Sequence, residues 1–289
     1  MKQKLLVFTV VYPQTLHLFA ALLDQVYTQS TSMFDFLVIQ DEVDITEIIV
    51  SSSMQPKILN GRKNPQENRE IAISYALTKG YDGFICLDSD DIHKPDKVAV
   101  LAQKLEKNDI VFHDLSIRGH TQKKISKSFI GNRLRDGQKI SFSDILDKNF
   151  MGLGNSGFKT FLFKDFLPFP SNLIAVDWWM AMIALLQNAQ VVYTNHSLTG
   201  YSQYEGNAAP ILKSDKKTLE RELNIKENIY ENLLLLPTIM ISPYKAEIKK
   251  RLQQVCFLKN HLSEAIEFNS FPENLFWWEL SNYVKLGGK

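Results

Sequence analysis

Between Gly80 and Asp91 an apolar run, Phe84-Ile85-Cys86-Leu87, leads straight into Asp88-Ser89-Asp90-Asp91, and no basic residue follows until Lys94. Carboxylates crowded this closely repel one another, so they persist most readily where a divalent cation or a polar ligand neutralises them. At the end of an apolar strand, such a cluster points to a metal and phosphate site. The alternative is an acidic turn capping the next helix, because Asp91 precedes Pro95 and the helix-like residues 97–105. The neighbouring segments weigh between the two.

Residues 5–12 form a nearly continuous apolar run, as expected of a parallel strand covered on both faces, and Pro13 ends it. Residues 16–26 carry apolar side chains at helical spacing, and residues 34–39 read as a second buried strand closing on Gln40-Asp41-Glu42. A third short strand is expected at 57–59, then a loop over 60–66. A helix at 67–78 stops at Gly80 as at a glycine C-cap. After the strand of the carboxylates come a helix ending near residue 107 and a strand at 109–115. This alternation predicts an α/β fold, a Rossmann-like three-layer sandwich with a mostly parallel central sheet. Ligands of such sheets gather at the carboxyl ends of the strands. Tyr12, Asp41 and the aspartate cluster all fall there.

Composition narrows the field. With 289 residues and 45% hydrophobic content the chain buries a substantial core, and its net charge of +1 offers no argument for nucleic acid. Cys86 and Cys256, far apart, fit a reducing compartment rather than a disulfide framework. No run reaches the roughly 18 apolar residues of a membrane span. The first residues read as a strand rather than a signal peptide, being β-branched and stopped by Pro13. The expectation is a cytoplasmic protein, at most peripheral at the inner face of the membrane.

Five segments carry a resemblance: Val10-Val11-Tyr12-Pro13, Leu37-Val38-Ile39-Gln40-Asp41, Arg69-Glu70-Ile71-Ala72-Ile73-Ser74-Tyr75-Ala76, Ile85-Cys86-Leu87-Asp88-Ser89-Asp90-Asp91 and Val176-Asp177-Trp178-Trp179. In order and spacing they resemble the family 2 glycosyltransferases, inverting enzymes of GT-A fold that use nucleotide sugars. The resemblance runs over residues 5–207. The chain departs from the family at Glu70, where Asn is usual, at Val176, where Glu is usual, and at Tyr12-Pro13-Gln14-Thr15, a reduced form of a Pro-Thr-Tyr-Asn signature.

The resemblance implies transfer of a sugar from a nucleoside diphosphate, uridine-linked in the first instance, to a hydroxyl of a carbohydrate or glycolipid acceptor in polysaccharide or glycoconjugate synthesis. A departing diphosphate needs its growing charge offset, and Mg²⁺ or Mn²⁺ with hard oxygen ligands does this. By resemblance Asp88 faces the ribose, with Ser89 and Asp90 also on the donor, and Asp90 and Asp91 are the metal ligands. Spacing does not settle which aspartate does which. Asp41 matches the acid that reads the base, Arg69 an arginine beside the nucleotide, and Tyr12 the end of the first strand. A surface arginine paired with a nearby glutamate is the alternative for Arg69.

Asp177 opens an apolar helix. Its family position is that of the general base, and helix capping is the alternative role. Trp178 and Trp179 offer flat surfaces of the kind sugars stack upon, though one of them is expected in the core. Gly152-Leu153-Gly154-Asn155-Ser156-Gly157 matches a dinucleotide fingerprint in form, but a strand-like stretch, residues 158–163, follows where a helix is required. The cofactor reading is therefore rejected, and by resemblance Asn155 and Ser156 line the acceptor side. After a strand at 189–193, His196 and Gln203 are the groups that the resemblance offers to complete the metal or diphosphate site. Lysines and arginines between Arg118 and Lys139 read as a solvated hairpin or loop.

The expected organisation is a catalytic domain over 1–212, with a nucleotide-sugar half at 1–115 and an acceptor half at 116–212, and a helical appendage over 213–289. In the appendage, helices are expected at 217–236, 243–260 and 262–268, with an aromatic stretch at 271–284 docking it on the catalytic domain. Peripheral membrane contact and a homodimer through the C-terminal helices are compatible with this composition. Two other classes stand beside the transferase. A sugar-nucleotide nucleotidyltransferase shares the clustered acids but carries a Gly-rich loop where this chain has Tyr12-Pro13-Gln14-Thr15. A non-catalytic nucleotide- or carbohydrate-binding relative is the other, on account of Glu70 and Val176.

Overall fold

Ten strands join in one sheet in the computed structural model of the chain, which describes residues 3–50, 55–119, 124–203, 215–262, 266–268 and 275–286. In chain order the elements of its first half are β1 (Leu5–Val11), α1 (Phe19–Tyr27), β2 (Asp35–Gln40), α2 (Thr46–Val50), β3 (Lys57–Asn60), α3 (Pro65–Thr78), β4 (Gly83–Cys86), β5 (Ile92–His93), α4 (Lys97–Leu105) and β6 (Ile110–Arg118). Then follow β7 (Lys124–Ser126), β8 (Lys139–Ile140), β9 (Ser156–Lys159), α5 (Val176–Leu186), β10 (Val191–Ser202), α6 (Lys216–Leu235), α7 (Thr238–Ile241), α8 (Lys245–Asn260), β11 (Ile266–Phe268) and β12 (Val284–Leu286).

The chain divides into two compact units. The first comprises Met1–Ile140, Met151–Phe169 and Ala189–Tyr204 and holds the large sheet, in the order β3-β2-β1-β4-β9-β6-β10-β5. Strands β3, β2, β1 and β4 run parallel, as do β6 and β10, while β9 lies antiparallel between β4 and β6. This is the mixed α/β, mostly parallel sheet that the strand and helix rhythm predicts. Alternation along the strands supplies two apolar faces. Leu5, Val7 and Val11 of β1, with Ile85 of β4, pack with Phe19, Leu22 and Val26 of α1 and Val98, Leu101 and Leu105 of α4. The intervening residues point the other way. Phe84 stacks on Phe158 at 5.4 Å and meets Phe8 at 6.0 Å and Phe163 at 5.7 Å.

Helix α3 starts two residues earlier than the apolar spacing indicates. Asn64 caps it by accepting from the Gln66 and Glu67 N–H groups, and Pro65 takes the first position, where no N–H is needed. It ends as expected at Gly80, whose φ of 68° suits a residue without a Cβ.

Three segments differ from the sequence expectation. Only Ser156–Lys159 of the stretch around 158–163 is a strand, and Thr160–Phe163 forms a 3₁₀ turn. The turn brings Phe163 back to 5.8 Å from Phe158, which strand geometry at this spacing does not allow. Strand β10 continues to Ser202, with register shifts between Thr194 and Thr199, because β6 supplies a parallel partner along its length. Ile266–Phe268, expected in a helix, instead pairs antiparallel with Val284–Leu286, so long-range pairing overrides local propensity. The expected domain boundary at 212 and the stretch 271–274 lie outside the described residues.

The second unit comprises Ser141–Phe150, Pro170–Asn188 and Glu205–Lys289. Helix α5 is apolar nearly all round and is buried accordingly. Within this unit α6 packs on α8. Buried Glu222 of α6 accepts from the N–H groups of Leu280 (2.9 Å) and Ser281 (2.8 Å), while Lys226, 3.3 Å from Glu222, donates to Ser281 Oγ at 2.7 Å. No helix of the described residues is long and apolar enough to cross a membrane.

The aromatic stack beneath β4 makes Phe84 a test of the core. Phe84→Ala is expected to destabilise the protein by about 3–5 kcal/mol in urea unfolding, since it removes a fully buried ring and leaves a cavity among three others.

Candidate active site

Because β1, β2 and β4 are parallel neighbours, their carboxyl ends open on the same edge of the sheet. Tyr12 follows β1, Asp41 follows β2 and the aspartate cluster follows β4. Ser89 stitches two of these ends together, its hydroxyl 3.2 Å from Val10 O and 2.8 Å from Thr15 Oγ1. That hydroxyl is buried and engaged with β1 and the turn after it.

Asp41 is likewise enclosed. Its Oδ1 accepts from the Lys63 N–H at 2.8 Å and its Oδ2 from Asn68 Nδ2 at 2.9 Å, while Asn68 Oδ1 accepts from the Arg62 N–H at 2.8 Å. The loop packs so closely that a Cβ on Gly61 would come within 2.7 Å of Asp41 Oδ1. Asp41 thus orders the loop between β3 and α3. One turn of α3 then presents half-buried Arg69, whose Nη1 donates to Pro65 O at 2.7 Å. Burial pushes the Tyr12 hydroxyl pKa up, the Arg69 guanidinium and Asn68 oppose this, and Asp88 adds to it. Tyr12, Asn68, Arg69 and Asp88 therefore sit within electrostatic reach of one another. Glu70, the departure from the family pattern, accepts from Gln66 Nε2 at 2.7 Å and from the Phe169 N–H at 3.2 Å.

The three aspartates occupy different environments. Asp88 and Asp90 are half-buried, and Asp91 is buried. Burial, followed by the charges of Asp90 and Asp88, holds the Asp91 carboxyl well above the usual carboxylate range, while the Ser202 N–H, 2.9 Å from its Oδ1, works against that shift. Asp88 and Asp90 thus keep part of their surface exposed, and Asp91 ties the loop to the end of β10. Gly154 lies against Asp88, where a Cβ would collide with Oδ2.

Behind the loop is a buried polar cluster. His93 Nε2 meets Asp88 O at 2.9 Å, and Lys97 Nζ meets His93 Nδ1 at 3.2 Å and donates to Gly154 O at 2.7 Å. Thr199 Oγ1 lies 3.4 Å from His93 Nδ1 and 3.5 Å from His113 Nε2. Burial keeps both imidazoles well below their ordinary pKa, hence neutral, and pushes Lys97 down to about 8 against the pull of Asp88 and Asp91. The sequence reading missed this cluster. Lys97 read as the first residue of an amphipathic helix, and Gly154 as part of a false fingerprint. The one available signal was a lysine on an otherwise apolar helix face.

Several expected residues are not brought to the loop. His196 is exposed in the irregular stretch of β10 between Thr194 and Thr199, its Nδ1 2.9 Å from Thr194 Oγ1, six residues before Ser202, whose N–H meets Asp91. Asn155 and Ser156 are buried at the start of β9, with Asn155 Nδ2 donating to His113 O at 2.9 Å, so they support the sheet rather than line its surface. Trp178 and Trp179 are 0% and 1% exposed, and Trp178 Nε1 donates to Ile145 O at 2.8 Å. The expected stacking surface is therefore corrected to a core role, because neither ring has a face open to a sugar. Gln203 donates its N–H to Arg118 O at 2.7 Å. Lys123 and residues 204–207 lie outside the described residues.

Within the second unit, Asp177 sits in the first turn of α5, two positions after the N-cap residue Ala175. Its Oδ1 accepts the Trp178 N–H at 2.8 Å and its Oδ2 lies 3.3 Å from Asn149 Nδ2.

The donor chemistry of the acidic loop suits a hard divalent cation. Among the described residues no three His, Cys, Asp or Glu side chains converge as a ready cage. One or two carboxylates are what Mg²⁺ or Mn²⁺ takes from a protein when phosphate oxygens and waters complete its shell. Asp88 and Asp90 at a strand end fit a cation shared with a diphosphate.

A parallel sheet whose carboxyl edge gathers a tyrosine, an arginine and an acidic loop defines a nucleotide-sugar-dependent transferase of GT-A type. The chain belongs to glycosyl transferase family 2, whose model matches residues 7–167. It is an enzyme that transfers a sugar from a nucleotide sugar. Among solved structures it is similar to S. aureus TarS 1–349 in complex with UDP-GlcNAc, at 19% identity and a TM-score of 0.61, covering 90% of this chain and 73% of that one. It is also similar to the mannosyltransferase PcManGT from Pyrobaculum calidifontis in complex with GDP-Man and Mn²⁺, at 12% identity and a TM-score of 0.56, covering 92% and 76%. No curated protein sequence matches the chain.

The contact between Gly154 and Asp88 is open to test. Gly154→Ala is expected to displace the Asp88 carboxylate at an overpacking cost of about 1–3 kcal/mol, weakening donor-nucleotide binding in calorimetry by roughly tenfold or more.

Proposed function

We propose that this glycosyltransferase uses a uridine diphosphate sugar with a divalent cation and transfers the sugar, with inversion, to a hydroxyl of a carbohydrate or glycolipid acceptor in polysaccharide or glycoconjugate synthesis. The observation that carries the reading is the acidic loop after β4. Two of its carboxylates, Asp88 and Asp90, are partly exposed, Tyr12 stands within electrostatic reach of Asp88, and Arg69 within reach of Tyr12 and Cys86. Relatives of this fold solved with UDP-GlcNAc and with GDP-Man and Mn²⁺ support a nucleoside-diphosphate sugar as donor, and the uridine form follows the first of them.

Each residue has a role in this reading. Asp88 binds the ribose, and Asp90 would hold Mn²⁺ or Mg²⁺, with Asp91 behind it in the same loop. Bound there, the cation would offset the charge growing on the departing diphosphate. Arg69 adds positive charge beside the nucleotide, Tyr12 packs against it, and Asp41 keeps the neighbouring loop in shape for the base. Asp177 takes the proton of the acceptor hydroxyl as its oxygen attacks the anomeric carbon on the face opposite the diphosphate. The new C–O bond forms as the bond to the diphosphate breaks. In this assignment catalysis belongs to residues 1–212.

Two measurements test the reading. A thermal-shift series is expected to raise Tm with UDP, further with UDP and Mn²⁺, and less with GDP, because ligands that bind only the folded state stabilise it. A rise confined to GDP moves the donor to the guanosine class, and no rise with either nucleotide removes the proposal. Asp177→Asn should lower turnover by about 10²–10⁴-fold while sparing nucleotide binding. Unchanged turnover would exclude Asp177 as the base.

A further inference from the structure

Lys97 is wholly buried beneath the acidic loop, yet every hydrogen-bond partner described for its ammonium is neutral: Gly154 O at 2.7 Å, His93 Nδ1 at 3.2 Å and Cys86 O at 3.5 Å. His93 Nε2 lies 2.9 Å from Asp88 O, a carbonyl that only accepts, so Nε2 carries the ring proton and Nδ1 is left to accept from Lys97. An ammonium taken out of water among neutral groups is costly unless opposite charge lies near. Asp88 and Asp91 are that charge, the two strongest electrostatic influences favouring its protonated form.

Gly154 links the two sides. Its carbonyl accepts from Lys97, and a Cβ at its Cα would collide with Asp88 Oδ2 and come within 3.6 Å of Asp91 Oδ2. The lysine therefore fixes, through one glycine, the wall against which both carboxylates rest.

We propose that Lys97 is a fixed counter-cation of the acidic loop, which holds Asp88 and Asp91 in place in the empty enzyme and weakens the loop's grip on a divalent cation until the donor's diphosphate arrives. The inference rests on the metal-dependent reading of this site. Two positive charges held by one acidic loop repel: Lys97 lies behind Asp88 and Asp91, and the cation would sit at Asp90, between them in sequence. A free divalent ion meets the full repulsion of Lys97, whereas an ion already paired with a diphosphate carries little net charge and meets less of it. Lys97 touches neither donor nor cation, so it is a positioning residue. Its charge makes cation binding depend on the nucleotide.

The test is Mn²⁺ binding at neutral pH by calorimetry, with and without UDP or GDP, on the wild type, Lys97→Met and Thr199→Val. Methionine keeps the apolar stem and drops the charge. Valine at 199 removes hydrogen bonds from the same cluster without changing its charge. K97M is expected to bind Mn²⁺ alone on the order of tenfold more tightly than the wild type and to gain less from added nucleotide, while T199V stays near wild type. Circular dichroism and melting confirm the fold of each. If K97M does not fold, K97Q, which retains a donor for Gly154 and lacks the charge, carries the same expectation. Equal Mn²⁺ affinity in wild type and the charge-removed variant, or equal tightening in T199V, overturns the counter-cation role and leaves the donor site standing. Absence of Mn²⁺ binding to the wild type with both nucleotides removes instead the metal-dependent reading, and this role with it.

Discussion

Negative charge at the end of β4 is the constraint around which the first unit is organised. Asp88, Asp90 and Asp91 follow one another with one serine between, on a strand that is itself buried. Carboxylates so placed repel, and removing one of them from water makes its ionisation costlier still, which is why the Asp91 carboxyl stands above the usual carboxylate range. The fold answers with the Ser202 backbone N–H on Asp91, with His93 on the Asp88 carbonyl, and with a lysine ammonium behind both. His93 and Lys97 follow the loop closely in sequence, whereas Ser202 and the lysine's partner Gly154 come from far along the chain, so the loop's surroundings are complete only in the finished sheet.

At the same edge several polar groups are used inside the protein. Ser89 joins the β4 loop to β1, and Asp41 gives both its oxygens to the loop ahead of α3. These residues look like ligand-binding groups in the sequence because they are polar and stand at strand ends. Their hydrogen bonds run inside the protein, beside the half-buried Asp88, Asp90, Tyr12 and Arg69. In the second unit Glu222 and Lys226 do comparable work, closing the turn at Leu280 and Ser281 onto α6.

Much of this was legible beforehand, for local reasons. The apolar run ended by Pro13, the helix stopped at Gly80 and the apolar strand leading to Asp88 each announce an element through side-chain period or backbone restriction, and the structure has all three. Residues whose surroundings are set by distant partners were not legible. The polar segment Thr194-Asn195-His196-Ser197 hides a strand that exists because β6 lies alongside. The tryptophans of α5 look like a binding surface until both are found in the core. Ile266–Phe268 is a strand only because Val284–Leu286 comes back to pair with it.

By itself the sequence determined the alternation of strands and helices, the strand ends on which polar residues collect, and the acidic cluster that marks the active edge, because these follow from period, from proline and glycine, and from like charges placed side by side. Only the tertiary structure decided which of those polar residues remain open. It set Asp91 inside and Asp90 at the rim, left His196 far along β10, and brought Lys97 and Gly154 under the loop. Burial and charge neutralisation depend on what packs against a group from elsewhere in the chain, and no local pattern carries that information.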